Sequence, residues 1–102
     1  SIELSILHST EPSRISRTDC EGYEKLTHSI KATWKGAIVS PYLMVQCSDS
    51  RHYGKISDRV YRFSAMDLTT EERASIHGHN ERIRLDALNR SVEFYIRLLK
   101  QC

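Results

Sequence analysis

Apolar residues recur along the chain at two different spacings, which predict strands alternating with helices. Alternating apolar residues over positions 2–8 indicate a half-buried strand. The mostly apolar stretch Ala37–Val45 indicates a strand buried on both faces, although Pro41 is unusual inside a strand. A third, short strand is predicted over Val60–Phe63. Together these segments predict a small sheet.

Two longer segments repeat apolar residues every three or four positions, as amphipathic helices do. The first runs from Thr18 to Trp34 and begins with the spacing of a capping box at Thr18 and Glu21. The second runs from Asp86, a predicted cap, to Lys100. The residues expected to pack these helices onto the sheet are Leu26, Ile30, Val92 and Ile96. The pattern predicts an α/β fold, with residues 1–102 forming a single domain in which two main helices pack on a small sheet.

The composition is ordinary for a globular domain and argues against two classes of partner. The formal net charge is +2, and basic residues alternate with acidic ones, so no nucleic-acid partner is expected. No apolar run approaches the length of a membrane span, so no membrane partner is expected. The three cysteines include no short-spaced pair, which indicates free thiols in a reducing compartment, and we expect a cytoplasmic location.

His77 and His79 are a candidate metal site. They are two residues apart, and on an extended segment their side chains would point the same way, which suits two ligands on one metal ion. The alternative is that both are incidental residues of a polar loop. Spacing alone favours that alternative, because no third ligand stands at a recognisable distance along the chain.

The segment from Ser48 to Arg51 is a candidate anion site. It follows the predicted strand Ala37–Val45 directly and opens a predicted short helix. Free backbone N–H groups at such a junction attract anions, and a guanidinium adds a forked donor for a carboxylate. The alternative is that Asp49 caps the short helix while Arg51 pairs with a surface acid.

Five blocks of the sequence resemble the C-terminal end of a dizinc exopeptidase family. That family includes carboxypeptidase S, acetylornithine deacetylase and succinyl-diaminopimelate desuccinylase. The blocks are Pro41–Val45, Asp49–Tyr53, Val60–Phe63, Ile76–Gly78 and Asn80–Ile83. They stand in the family's order before a final amphipathic helix, and the similarity covers nearly the whole chain. The resemblance implies the C-terminal part of a zinc-peptidase catalytic domain, whose glutamate base and other metal ligands lie in motifs absent from these residues.

The resemblance also implies roles for individual residues. His77 matches a zinc ligand, one of the set that holds two zinc ions in the complete site, whereas His79 stands at a variable position. Cys47, Ser48 and Arg51 would line the pocket for the carboxylate of the substrate. Gln46 and Cys47 replace two glycines of the family pattern, and Ser48 replaces a threonine. Side chains in place of glycine would narrow this pocket or tilt its turn.

The activity implied is hydrolysis of a peptide or N-acyl amino acid bond next to a free carboxylate. The isolated chain is expected to be inactive, because it holds one ligand and no base. It is also expected to self-associate or dimerise through apolar surface at Ala37–Val45. Two alternatives stay open: a non-catalytic small α/β binding or assembly module, and a degenerate relative of the family without activity.

Overall fold

The computed structural model describes residues 1–102 and shows four α-helices joined by long irregular segments. The helices are α1 (Glu21–Thr33), α2 (Ser50–Tyr53), α3 (Thr70–Ala74) and α4 (Leu85–Leu99). The structure contains no β-strand. The predicted α/β fold with two helices on a small sheet is therefore wrong, and these residues form an all-helical arrangement.

The segments predicted as strands have no partner to pair with. Residues 2–8, 37–45 and 60–63 form no backbone ladder with one another. A strand exists only where a neighbour supplies donors and acceptors for its backbone. Most apolar side chains of 2–8 and 37–45 face solvent instead, with Ile2 and Ile38 each 94% exposed, whereas Val39 and Phe63 pack towards the helical core. The apolar patterns indicated segments that favour burial, but they did not show that any neighbouring strand is available for pairing.

The starts of both long helices differ from the prediction. Helix α1 begins at Glu21, and its N-cap is Cys20, whose side chain makes no capping hydrogen bond. The capping box predicted at Thr18 is therefore wrong. Helix α4 is preceded by Arg84 as N-cap, so Asp86 lies inside the first turn rather than capping it. An acid in that position still favours the helix through the positive end of the helix dipole.

The core lies where α1 and α4 pack against each other and against an extended segment. Ile30 of α1, Phe94 of α4 and Ala65 form its buried cluster. The ring centroid of Phe94 lies 5.0 Å from that of Phe63 and 5.7 Å from that of Trp34. Aromatic rings at these separations add attraction beyond the burial of their apolar area.

The predicted core is right for α1 and wrong for α4. Ile30 is buried and Leu26 packs against the core cluster. Val92 and Ile96, however, are 52% and 47% exposed. The buried residues of α4 are Ala87, Ser91 and Phe94. Small side chains at Ala87 and Ser91 allow close approach, and the Ser91 hydroxyl donates a hydrogen bond to the carbonyl of Ala65.

The chain is more extended than a typical domain of its length. Its radius of gyration is 17.0 Å, whereas a compact domain of this size is expected near ~13 Å. Only 7 of 102 residues are buried, and four of those are hydrophobic. The helical core is consequently small, and much apolar surface on 37–45 and on the outer face of α4 meets solvent.

A set of hydrogen bonds ties the segment before α1 to the segment before the core. The backbone N–H of Arg17 donates to the carbonyl of Asp58 at 2.9 Å, and the Ser16 hydroxyl donates to the carbonyl of Val60 at 2.6 Å. The Tyr61 hydroxyl donates to the carbonyl of Arg17 at 2.8 Å. These bonds hold residues 16–20 in a non-helical conformation, which explains why α1 starts later than its sequence pattern predicts.

The Cys20 thiol is expected to be more acidic than an ordinary cysteine because of Tyr61. Its Sγ lies 2.8 Å from the Tyr61 hydroxyl. The Tyr61 hydroxyl lowers the pKa of Cys20 first of all, because it can turn from the Arg17 carbonyl to donate to the thiolate, and the backbone N–H groups of Tyr23 and Gly22 lower it further. Burial and then the contact with Cys20 raise the pKa of Tyr61 to about 12. Tyr61→Phe removes the hydroxyl, so the thiol pKa should rise and alkylation of Cys20 near neutral pH should slow. Alkylation rates against pH check this, with Cys47 and Cys102 in the same chain as controls; an unchanged Cys20 profile would contradict it.

Candidate functional site

The Ser48 turn, residues 46–51, is a compact turn leading into α2. The Ser48 and Ser50 hydroxyls lie 2.5 Å apart, and the Ser50 backbone N–H donates to the Ser48 oxygen at 3.3 Å. The carbonyl of Gln46 accepts a hydrogen bond of 3.4 Å from Arg62. Cys47 is exposed and forms no disulfide. Ser48 therefore shapes the turn locally, and Arg62 links the turn to the extended segment 60–63.

Two features of the Ser48 turn bear on its capacity to hold an anion. The Asp49 side chain makes no capping hydrogen bond to α2. The Arg51 guanidinium forms no ion pair; its Nε lies 3.4 Å from His52 Nε2. Neither half of the structural alternative, a capping Asp49 and an Arg51 paired with an acid, is seen. Arg51 is exposed beside a short helix and has donors available for a carboxylate.

The His77 loop, residues 75–84, connects α3 to α4 through two sharp turns. His77 has φ of 61° and Asn80 has φ of 58°, so both adopt the left-handed conformation. Such a conformation costs roughly 1–2 kcal/mol for most residues other than glycine, and less for asparagine, whose short polar side chain can form local hydrogen bonds. The backbone N–H of His77 donates to Glu81 Oε2 at 3.2 Å. The segment is a turn rather than an extended strand, so His77 and His79 do not have the alternating geometry expected from their spacing.

A buried carboxylate, that of Glu72 in α3, is hydrogen-bonded to the far end of the His77 loop. It belongs to a capping box at the start of α3, in which its backbone N–H donates to Thr69 Oγ1 at 3.1 Å and its Oε2 accepts from the Thr69 N–H at 2.8 Å. Its Oε1 also accepts from the backbone N–H of Arg84 at 3.0 Å. Glu72 was missed as a functional candidate, although the sequence spacing Thr69-x-x-Glu72 signals the capping box.

The fold should lose stability in acid as Glu72 becomes protonated. Hydrogen bonds from the Thr69 backbone, above all, and from Arg84 hold the pKa of Glu72 below its usual 4.5. A carboxyl group with a lowered folded pKa stabilises the fold fully above its unfolded pKa, and this contribution disappears as the pH falls through the folded value. Glu72→Gln cannot make this pH-dependent contribution. The difference in free energy of unfolding between the wild type and the variant should therefore shrink as the pH falls. Denaturant unfolding at a series of pH values measures it; a constant difference between the two proteins would contradict the assignment.

The chain supplies at most part of a metal site. No group of three His, Cys, Asp or Glu side chains is arranged to hold a metal ion. The His77 side chain is exposed, and its imidazole takes part in none of the chain's hydrogen bonds, so it fits the role of a single ligand. No hydrogen bond or ion pair connects the His77 loop to the Ser48 turn. An apolar cavity of about 270 Å³ between α1 and α4 is lined by none of the predicted site residues.

Comparison with known proteins supports, over almost the whole chain, the family that the sequence blocks resemble. The sequence matches Peptidase family M20/M25/M40 over residues 1–101. The chain belongs to this peptidase family. The resemblance to carboxypeptidase S and its relatives is thereby confirmed.

The relatives are named either as carboxypeptidases or as N-fatty-acyl-amino acid synthase/hydrolases. The chain is 39% identical to the N-fatty-acyl-amino acid synthase/hydrolase of Xenopus tropicalis over 97% of its own length and 20% of that protein. It is 33% identical to probable carboxypeptidase S-like 1 of Dictyostelium discoideum, over 96% of the chain and 21% of the relative. It is 29% identical to probable carboxypeptidase S-like 2 of the same organism, over 88% and 17%. No solved structure is significantly similar to the chain.

The chain spans about a fifth of the length of the curated relatives it matches. The family match over residues 1–101 establishes the relationship for this part of those proteins. No helix of the chain is both long enough and apolar enough to cross a membrane.

Proposed function

We propose that these residues form the C-terminal part of the catalytic domain of a zinc-dependent hydrolase. The reaction is hydrolysis of a peptide or N-acyl amino acid bond next to a free carboxylate, in the cytoplasm. The observation that carries the proposal is the family match over residues 1–101. Relatives named as carboxypeptidases and as N-fatty-acyl-amino acid synthase/hydrolases support the two substrate types.

In this proposal His77 contributes one nitrogen ligand to a site that holds two zinc ions. Zinc, when bound, acts as a Lewis acid on the scissile carbonyl. The exposed, unbonded imidazole of His77 is compatible with ligation, and the Glu81 carboxylate restrains the backbone on which the ring stands. The remaining ligands and the catalytic base are assigned to residues outside this segment, as the family resemblance implies, and no group of three ligands is arranged for a metal ion among residues 1–102.

Cys47, Ser48 and Arg51 are proposed to meet the carboxylate of the substrate. The guanidinium of Arg51 has no ion-pair partner, so binding an anion would break no existing pair. Cys47 is exposed on the same turn. Gln46 and Cys47 add side chains where the family pattern has glycines, so we expect them to restrict the size of the group next to the carboxylate.

Self-association is part of the proposal because apolar side chains remain exposed over wide areas. Ile38, Leu43 and Val45 are between 78% and 94% exposed on one extended segment. Several exposed apolar side chains on one short segment favour contact with another protein surface, here a second copy of the chain.

Activity and zinc content together test the proposed function. The purified 102-residue chain should show only background hydrolysis of N-acyl amino acids and dipeptides and should bind zinc weakly. The full-length protein should hydrolyse one of these substrate types and lose activity to a chelator. A full-length protein that binds no zinc and cleaves neither substrate would instead support a binding module or a degenerate relative, which the residues at 46 and 47 also permit. Chelator-sensitive turnover by the isolated chain would overturn the proposed division of the active site.

A further inference from the structure

One buried side chain closes the loop that carries His77. Glu72 is only 6% exposed and lies in α3, before the loop begins. Its Oε1 accepts from the Arg84 backbone N–H at 3.0 Å and from Arg84 Nε at 3.2 Å. Arg84 is the residue at which the loop ends and α4 begins. The Glu72 carboxylate therefore connects α3, before the loop, to Arg84 at the end of the loop.

The hydrogen bonds between the Glu72 carboxylate and Arg84 form what we call the clamp, and further contacts fix both of these residues. The second oxygen of Glu72 accepts from the Thr69 backbone N–H at 2.8 Å, which sets the orientation of the carboxylate. The Arg84 guanidinium also donates to the carbonyl of Asp67 at 2.8 Å. Charge-assisted hydrogen bonds to a buried carboxylate are among the strong ones, and removing one partner leaves the other unsatisfied.

The loop inside the clamp needs such a constraint. His77 and Asn80 are both left-handed, a conformation that is uncommon outside glycine, although histidine and asparagine adopt it more readily than most residues. Left-handed residues other than glycine persist where surrounding structure leaves no alternative. Within the loop, the bond from the His77 N–H to Glu81 is exposed to solvent, so water competes with it.

We propose that Glu72, through its clamp on Arg84, is the positioning residue for His77. The clamp fixes the separation of the loop ends, and with it the left-handed turn from which the imidazole projects. The inference rests on the proposed function, in which His77 binds zinc. Glu72 itself touches neither metal nor substrate.

Glu72→Gln in the full-length protein tests this role. The amide keeps the size of the side chain but replaces one acceptor oxygen by a donor, so an NH₂ group must face one of the N–H groups of Thr69 or Arg84. We expect the zinc dissociation constant to be about tenfold larger, within the range seen when groups that orient metal ligands are removed. Cobalt(II) in place of zinc should also show shifted visible absorption bands, because they report ligand geometry. Glu93→Gln, the same change in the exposed pair with Arg97, should alter neither.

A second variant covers the case in which Glu72→Gln does not fold. Arg84→Lys keeps the backbone donor and a positive charge but loses the Nε contact to Glu72, so zinc affinity should fall in the same direction by a smaller factor. Unchanged zinc affinity and unchanged cobalt bands in whichever variants fold would overturn the positioning role. That result leaves the proposed function intact if His77→Ala still loses zinc. If His77→Ala retains its zinc, the proposed ligand role of His77 fails and this inference fails with it, whereas the proposed hydrolase fails only if the full-length protein binds no zinc and cleaves neither substrate type.

Discussion

His77→Ala should remove a zinc ligand and abolish most hydrolysis by the full-length protein, while His79→Ala should have a much smaller effect. Loss of a group that merely orients a ligand lowers metal affinity or activity about 10–100-fold. Loss of the ligand itself should exceed that range. Zinc content after dialysis and kcat/KM measured on the same preparations check both variants.

The left-handed backbone at His77 calls for a second variant at the same position. Alanine adopts a φ of 61° poorly, so His77→Ala changes both the ligand and the turn. Asparagine tolerates this conformation better than most residues. His77→Asn therefore preserves the backbone while replacing the imidazole by an amide. If zinc loss reflects ligation, both variants should lose it; if it reflects the turn, His77→Asn should keep it.

The histidine comparison also tests the residue assignment apart from the family. Equal losses from His77→Ala and His79→Ala, or a larger loss from His79→Ala, would reject His77 as the specific ligand. Such a result would leave the family membership untouched, because that rests on the match over residues 1–101.

The sequence predicted local features better than it predicted pairing. Helical periodicity located α1 and α4 to within a few residues, since a helix satisfies its own backbone and its pattern is local. Strand patterns at 2–8 and 37–45 gave no sheet, because a strand depends on a distant partner that periodicity does not reveal. The inward face of α4 was also missed, since Ala87 and Ser91 carry a weak apolar signal although they permit the closest packing.

The sequence likewise predicted only part of the candidate site. The blocks around Arg51 and His77 identified a family that comparison confirmed, because several ordered motifs are specific. The conformation of the His77 loop was not foreseen, since the left-handed positions are His77 and Asn80 rather than Gly78, the residue that would usually signal such a turn. Glu72 was overlooked because its bond to Arg84 joins residues 12 positions apart.

Phe94→Ala should be the most destabilising single truncation in the helical core. Phe94 is fully buried, and its ring lies against those of Phe63, Trp34 and Tyr95. Removing a buried phenylalanine side chain costs about 3–5 kcal/mol, through lost transfer free energy and the cavity left behind. This is a large part of the stability of a small domain. Denaturant unfolding of the 102-residue chain, followed by helical circular dichroism, measures the effect.

Val92→Ala is the matched control for Phe94→Ala, because both residues lie on α4 and only one faces the core. Val92 is 52% exposed, and alanine is the better helix former, so its truncation should cost less than about 1 kcal/mol. Phe94→Leu provides a milder core variant if Phe94→Ala is unfolded before denaturant is added. The order of effects should then be Phe94→Ala, Phe94→Leu and Val92→Ala. A larger loss from Val92→Ala than from either phenylalanine variant would mean that α4 turns the opposite face inward, which would return Val92 and Ile96 to the core.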